Sequence, residues 1–237
     1  MRGCRWCARC GAKAHGLLKA PYRVAVYYAP APEDPLWAAS CAWLGRDPER
    51  GVVCEQPPEQ NIFAATCSPR RYGPHATLKP PMQLRGTYDE FAADVARLAA
   101  SLDDFLLPQL HVVCLHNFLA LCPVEPSAEL NEVAARCVTE LDHHRLPEDA
   151  AAQAKRAAGR PPRQLENLAR WGYPLVLDDW QFHITLSNAG AADLLPRAAA
   201  FFAPALAQPR QAKNLAIFCE DAPGTAFRLA ARLPIGA

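Results

Sequence analysis

His75-Ala76-Thr77-Leu78 and His183-Ile184-Thr185-Leu186 decide how this chain is read. Each is His-x-Thr-Leu, with a small or branched residue at x. On a β-strand successive side chains point to opposite faces. Alternation therefore sends His75 and Thr77 to one face and Ala76 and Leu78 to the core, and it treats the second copy alike. Two such strands brought together present two imidazoles and two hydroxyls to one small space. With an unperturbed pKa of about 6.5, one imidazole can be a neutral base while the other is a protonated acid. That set is sufficient for proton transfer at a phosphate without a metal or a covalent nucleophile.

One copy alone carries little, because a lone histidine in a strand is ordinarily a half-buried surface residue. Here the contexts match. After His75 the pattern predicts a turn, an amphipathic helix from about Tyr88 to Leu107, and a hairpin pairing Leu110–Cys114 with Phe118–Pro123. After His183 it predicts a helix from about Ala191 to Phe202 and a hairpin pairing Asn214–Cys219 with Phe227–Leu233. Phe118 follows His75 by 43 residues and Phe227 follows His183 by 44. Phe118-Leu119-Ala120-Leu121 also echoes Phe227-Arg228-Leu229-Ala230. The expectation is a duplicated lobe with one catalytic strand in each half.

Paired His-x-Thr motifs in duplicated α+β lobes resemble the two-histidine phosphoesterase superfamily, which includes RNA 2′,3′-cyclic phosphodiesterases. The longer strings Arg71-Tyr72-Gly73-Pro74-His75-Ala76-Thr77-Leu78-Lys79-Pro80-Pro81, Trp171-Gly172-Tyr173-Pro174 and Trp180-Gln181-Phe182-His183-Ile184-Thr185-Leu186 are similar to a bacterial branch associated with phosphonate-utilisation operons. The resemblance spans roughly Tyr22 to Pro234. It implies an α+β fold of two pseudo-symmetric lobes, with antiparallel sheets facing across a central cleft and helices outside. It also implies a phosphorylated ribose 1,2-cyclic phosphate as the natural candidate substrate.

In the motif itself, His75 and His183 are the expected catalytic pair, with Thr77 and Thr185 binding non-bridging phosphate oxygens. If the first strand continues, Lys79 shares the face of His75 and Thr77 and adds positive charge, whereas Ser187 stands at the matching offset from His183. Arg71 and Tyr72 are expected at the substrate rim, and Gly73 where the chain passes close to the ligand. Turn and surface packing explain these last three equally well.

Composition narrows the function further. Half the residues are apolar (51%), with no run of membrane-spanning length. Residues 1–20 carry five basic residues and no acid, so with a net charge of +1 the remainder stands at −4. An acidic body argues against an extended RNA-tracking surface and leaves room for a small phosphorylated substrate at a focused site. Seven of the ten cysteines lie scattered and several sit in apolar settings, which predicts buried thiols in a reducing cytoplasm. Cys4, Cys7 and Cys10 have metal-ligand spacing, with His15 as a conceivable fourth ligand, but no second CxxC pair completes a set. Residues 1–20 are therefore expected to be a poorly ordered basic extension, and no apolar segment follows the arginines to make a secretory signal. No cofactor, metal or membrane is expected, and a monomer is favoured.

The organisation expected is one two-lobed domain over residues 21–235: lobe 1 at about 21–125, a helical insert at about 127–171 and lobe 2 at about 172–235. Arg23–Tyr28 reads as a strand, and Asp34-Pro35 as a helix start leading into Leu36–Leu44. Val52–Ala65 is ambiguous. Helices are predicted over Glu129–Leu141, Pro147–Ala158 and Pro162–Arg170. The insert, bearing Lys155, Arg156, Arg160 and Arg163, reads either as a lid that gathers a second phosphate or as a solvated connector. His111, His116 and the His143-His144 pair sit outside any repeated context. The absence of GxxxxGK[ST], HExxH and GxSxG removes the P-loop, zincin and α/β-hydrolase readings. The reading is metal-independent hydrolysis of a small cyclic phosphodiester. An RNA or nucleotide 2′,3′-cyclic phosphodiesterase and a non-catalytic phosphometabolite binder are the alternatives.

Overall fold

The computed structural model describes residues 20–58 and 61–236. Cys4, Cys7, Cys10 and His15 lie outside the described residues. Two antiparallel sheets form the frame. The first has strands β1 (Arg23–Tyr28), β2 (Ala76–Met82), β6 (Asn214–Glu220) and β7 (Arg228–Pro234), in the order β7-β6-β1-β2. The second has β3 (Leu110–Leu115), β4 (Phe118–Pro123) and β5 (Ile184–Ala189), in the order β3-β4-β5. Outside them lie α1 (Pro35–Leu44), α2 (Cys67–Tyr72), α3 (Tyr88–Ala100), α4 (Ala128–Glu140), α5 (Ala150–Ala157), α6 (Pro162–Trp171) and α7 (Leu195–Leu206).

Local chemistry accounts for the helix ends. The Leu36 amide donates to Asp34 Oδ1 at 2.9 Å, and Gly45 closes α1 at φ 77°, a left-handed position that favours glycine. At α3 the Glu90 amide donates to the Thr87 hydroxyl while the Thr87 amide donates back to the Glu90 carboxylate. That helix stops at Ala100, not at Leu107 as the sequence pattern predicted. Asp103 and Asp104 would put negative charge at a helix C-terminus, where it is unfavourable, and Phe105–Leu107 instead pairs as a short strand with Arg210–Ala212.

The duplicated halves exchange their hairpins. The β3–β4 hairpin follows His75 in the chain, yet β4 pairs with β5, next to His183. The β6–β7 hairpin follows His183, yet β6 pairs with β1, which in turn pairs with β2 next to His75. The lobes are therefore not the segments 21–125 and 172–235, because each sheet is built from both halves. One hydrophobic core runs through them, from Val24 and Leu78 to Leu121, Ile184 and Ile217. Of the seven described cysteines, Cys41, Cys122, Cys137 and Cys219 are buried as expected, whereas Cys67 and Cys114 are exposed. None of the described helices is long and apolar enough to cross a membrane.

Candidate functional site

Both histidines stand one residue before their strands, His75 ahead of β2 and His183 ahead of β5, rather than inside them. Their local geometry is nonetheless the same. His75 Nδ1 lies 2.8 Å from the Gly73 carbonyl and His183 Nδ1 lies 2.8 Å from the Gln181 carbonyl, each two residues back. A carbonyl only accepts, so each Nδ1 carries the hydrogen, leaving Nε2 as the atom with the free lone pair in the neutral ring. Gly73 makes this possible on the first side. Its φ is 78°, and a Cβ there would fall 2.6 Å from the Pro48 side chain. The glycine thus serves a close approach to Pro48 and the aiming of a carbonyl at His75.

The Tyr27 ring stacks on His75 at 4.0 Å between centroids, with Tyr72 and Phe218 at 5.9 and 6.2 Å. Desolvation among these rings pushes the His75 pKa down to about 4; the Gly73 carbonyl opposes the shift and the charge of His183 adds to it. His183 is also pushed down, first by desolvation and further by His116, against the Gln181 carbonyl. The sequence had suggested unperturbed imidazoles, one charged and one neutral. Both are instead pushed toward the neutral form at pH 7, and protonating one calls for a nearby anion. An NMR titration of the ring resonances should show both histidines titrating below 6.5, His75 near 4. The linked stability follows: between pH 6.5 and about 4 the unfolded chain binds the proton that folded His75 refuses. Stability therefore falls as pH drops through that window. His75→Gln should melt with a weaker pH dependence there than the parent protein.

Thr77 pairs in register with Tyr27 and Thr185 with Ala120. Both threonines border a cleft of about 420 Å³ that is also lined by His75, Arg23, Arg156 and Tyr173. An adjoining compartment of about 240 Å³ shares Thr77, Phe118 and Tyr173 with the cleft and adds His183, His116 and Trp180. The two sheets are tied beside the site, since Trp180 Nε1 donates to the Thr77 carbonyl at 2.7 Å.

Other expected residues are placed differently. Lys79 is 2% exposed and donates to the Val138 carbonyl at 2.9 Å and to Asp142 at 3.1 Å. A β-bulge explains this, because β1 pairs Tyr27 with Thr77 but Val26 with Lys79, so one extra residue breaks the alternation. Lys79 therefore enters the interior alongside Leu78 and leaves the face of His75. Tyr72 lines the cleft, but Arg71 spends its guanidinium on Glu220 and the Thr225 carbonyl. In the insert Arg160 bonds Gln164, and Arg163 pairs with Asp179 at 2.8 Å. Of the insert's basic side chains, only Arg156 lines the cleft among the described residues.

Arg23, Tyr27, Tyr173 and His116 were missed as site residues. Arg23 and Tyr27 read as ordinary strand alternation. His116 and Asn117 form the β3–β4 turn at φ 43° and 73°, and the asparagine was the available turn signal. His143 and His144 both converge on Asp94 Oδ2, at 3.0 and 2.8 Å, a carboxylate that also pairs with Arg97.

The two antiparallel sheets thus each bring a His-x-Thr segment to the cleft and its adjoining compartment. Residues 77–228 match the family described as "Protein of unknown function (DUF1045)", and the chain belongs to that family. Two curated relatives are both described as "Ribose 1,5-bisphosphate phosphokinase PhnN". That of Janthinobacterium sp. (strain Marseille) is 36% identical over 228 residues, covering 90% of this chain and 50% of the relative. That of Laribacter hongkongensis (strain HLHK9) is 37% identical over 215 residues, covering 87% of this chain and 50% of the relative. The chain thus spans about half the length of the curated relatives it matches. A solved structure titled "Crystal structure of phosphoesterase" aligns at a TM-score of 0.42 and 14% identity, covering 92% of this chain and 99% of the other. E. coli LigT complexed with NADP+ aligns at 0.43 and 13%, with the same coverage.

Proposed function

We propose that the chain is a phosphoesterase that hydrolyses a small cyclic phosphodiester carried on a phosphorylated ribose, with His75 and His183 as its acid–base pair. The carrying observation is the matched anchoring of the two imidazoles, which leaves both Nε2 atoms free for proton transfer. His75 is pushed down to about 4, which suits a base that must stay neutral. In this reading its Nε2 removes a proton from water as the oxygen attacks phosphorus. His183, protonated when the phosphate anion binds, delivers a proton to the departing ribose oxygen. Thr77 and Thr185 donate to the non-bridging oxygens. The curated relatives' printed names point to the product. Opening the bond between phosphorus and O2 of 5-phosphoribose 1,2-cyclic phosphate, with one water consumed, leaves ribose 1,5-bisphosphate. The kinase in those names is not carried over, since the chain has no GxxxxGK[ST] loop.

One observation favours a second reading. The compartment beside His183 is walled by Phe118, Leu175, Val176 and Trp180, apolar surface that suits a nucleobase better than a second sugar phosphate. A nucleoside 2′,3′-cyclic phosphate would use it.

Turnover of 5-phosphoribose 1,2-cyclic phosphate, a 2′,3′-cyclic mononucleotide and a cyclic-phosphate-ended RNA oligomer decides between them, each assayed with and without EDTA. The phosphorylated sugar should give the highest kcat/KM, with modest salt dependence because few counterions are released, and EDTA should leave it unchanged. A better oligomer or nucleotide transfers the assignment to the second reading. Loss of activity in EDTA with recovery on adding zinc or manganese rejects the metal-free chemistry. Binding of the sugar without hydrolysis of any substrate makes the protein a metabolite binder.

A further inference from the structure

We infer that the cleft holds a second anion subsite, in which Arg23 and Arg156 grip the terminal phosphomonoester of the substrate while its cyclic phosphate lies at the histidines. The inference rests on the phosphodiesterase reading above and assigns the part of the site that selects a phosphorylated sugar.

The reacting end offers neutral imidazoles and hydroxyls, so it supplies no standing cation for a second, dianionic phosphate. Cationic side chains line the same cleft as His75. Glu220, fully buried, takes Arg23 Nε at 2.6 Å, a second guanidinium from Arg71, and the Gly224 amide at 2.8 Å. Burial pushes that carboxyl up, but Arg23, Gly224 and Arg71 outweigh it and hold it below its ordinary value, so it is ionised. Two guanidiniums on one carboxylate leave one positive charge in surplus at the cleft wall.

Arg23 commits only Nε to Glu220, and among the described residues neither of its Nη groups has a hydrogen-bond partner. Arg156 commits Nε and Nη2 to Glu148, at 2.7 and 2.9 Å, and keeps Nη1. Its guanidinium lies 5.3 Å from the Tyr173 ring centroid, on the same cleft wall. Arginine N–H groups in a planar fork suit phosphate oxygens. The Tyr72 phenol completes the subsite from α2, its ring stacked on Phe227 at 5.0 Å.

A cleft of about 420 Å³ falls within the roughly 300–1,000 Å³ usual for whole small-molecule ligands and exceeds what a lone phosphodiester fills. A pentose with a phosphate at each end has room in it to meet His75 and Thr185 with one phosphate and the two arginines with the other. Because Arg23 comes from β1 and Arg156 from the helical insert, such a ligand also bridges the sheet and the insert.

Arg23→Gln and Arg156→Gln test this against two substrates, 5-phosphoribose 1,2-cyclic phosphate and ribose 1,2-cyclic phosphate without the 5-phosphate. Each variant should raise KM for the phosphorylated substrate about tenfold or more, the scale of a charge-assisted hydrogen bond. Its kcat should change by only a few fold, and KM for the unphosphorylated substrate should move far less. Equal losses on both substrates, or none on either, overturn the subsite. If the parent protein turns over neither sugar, the phosphodiesterase reading fails by itself. The subsite is then judged by calorimetric binding of ribose 5-phosphate, which should weaken about tenfold in both variants and overturns the assignment if it does not.

Discussion

Replacing either His75 or His183 with alanine is expected to lower kcat by about 10²–10⁴-fold, the usual contribution of a positioned general acid or base. KM should change little, because Thr77, Thr185 and the arginine end remain to bind the substrate. Each imidazole is held through Nδ1 by a carbonyl, so the lost function is proton transfer at Nε2 and not a structural tie. His75→Ala vacates a ring site beside Tyr27, so a melting curve must accompany the kinetics. The double variant should be far less than multiplicatively worse than either single one, since one proton relay cannot be broken twice. The limbs of the pH profile should separate the roles. In kcat/KM, which reports the free protein, the acidic limb belongs to the base and should lie well below pH 6.5, because burial pushes His75 down to about 4. A kcat within tenfold of the parent for either alanine variant, in a protein that still melts cooperatively, removes that histidine from the mechanism.

Much of the candidate site was legible because its pattern is local. His-x-Thr on a strand fixes which way two side chains point, and the duplicated context distinguishes the pair from chance. The helix start at Asp34-Pro35 was legible for the same reason, since capping is written within a few residues. What escaped was long-range. Spacing predicts that Leu110–Cys114 pairs with its neighbour Phe118–Pro123, as it does with one residue more, but nothing within a hairpin says which sheet edge it joins. The exchange that places β4 against β5 and β6 against β1 is a property of the whole chain. Arg156 illustrates the limit in a helix. Lys155, Arg156, Arg160 and Arg163 are equivalent in composition, and only packing on Tyr173 and Glu148 turns one of them to the cleft. Arg23 carried no local signal. It lines the cleft because β1 lies next to β2 and because Glu220 reaches across from β6 to hold it.

Lys79 shows the same limit and supports the second large effect. Strict alternation puts it with His75 and Thr77, and the bulge turns it inward, where its ammonium meets Asp142 and the Val138 carbonyl. Burial pulls its pKa down while Asp142 pushes it back up. Asp142→Ala is therefore expected to destabilise the fold by about 3 kcal/mol, the low end of the range for removing one partner of a buried pair. The low end applies because the Asp142 side chain is 20% exposed against 3% for Lys79. Lys79→Met should cost much less. It replaces the buried ammonium with an apolar chain of similar length, and Asp142 keeps its two bonds to Arg145 at 2.8 and 2.9 Å. Denaturant unfolding of both variants measures the contrast, and kcat/KM at a temperature where both are folded should stay within a few fold of the parent. A fall of a hundredfold or more in Lys79→Met, with unfolding unchanged, would return the lysine to the catalytic face that strand alternation alone assigned it.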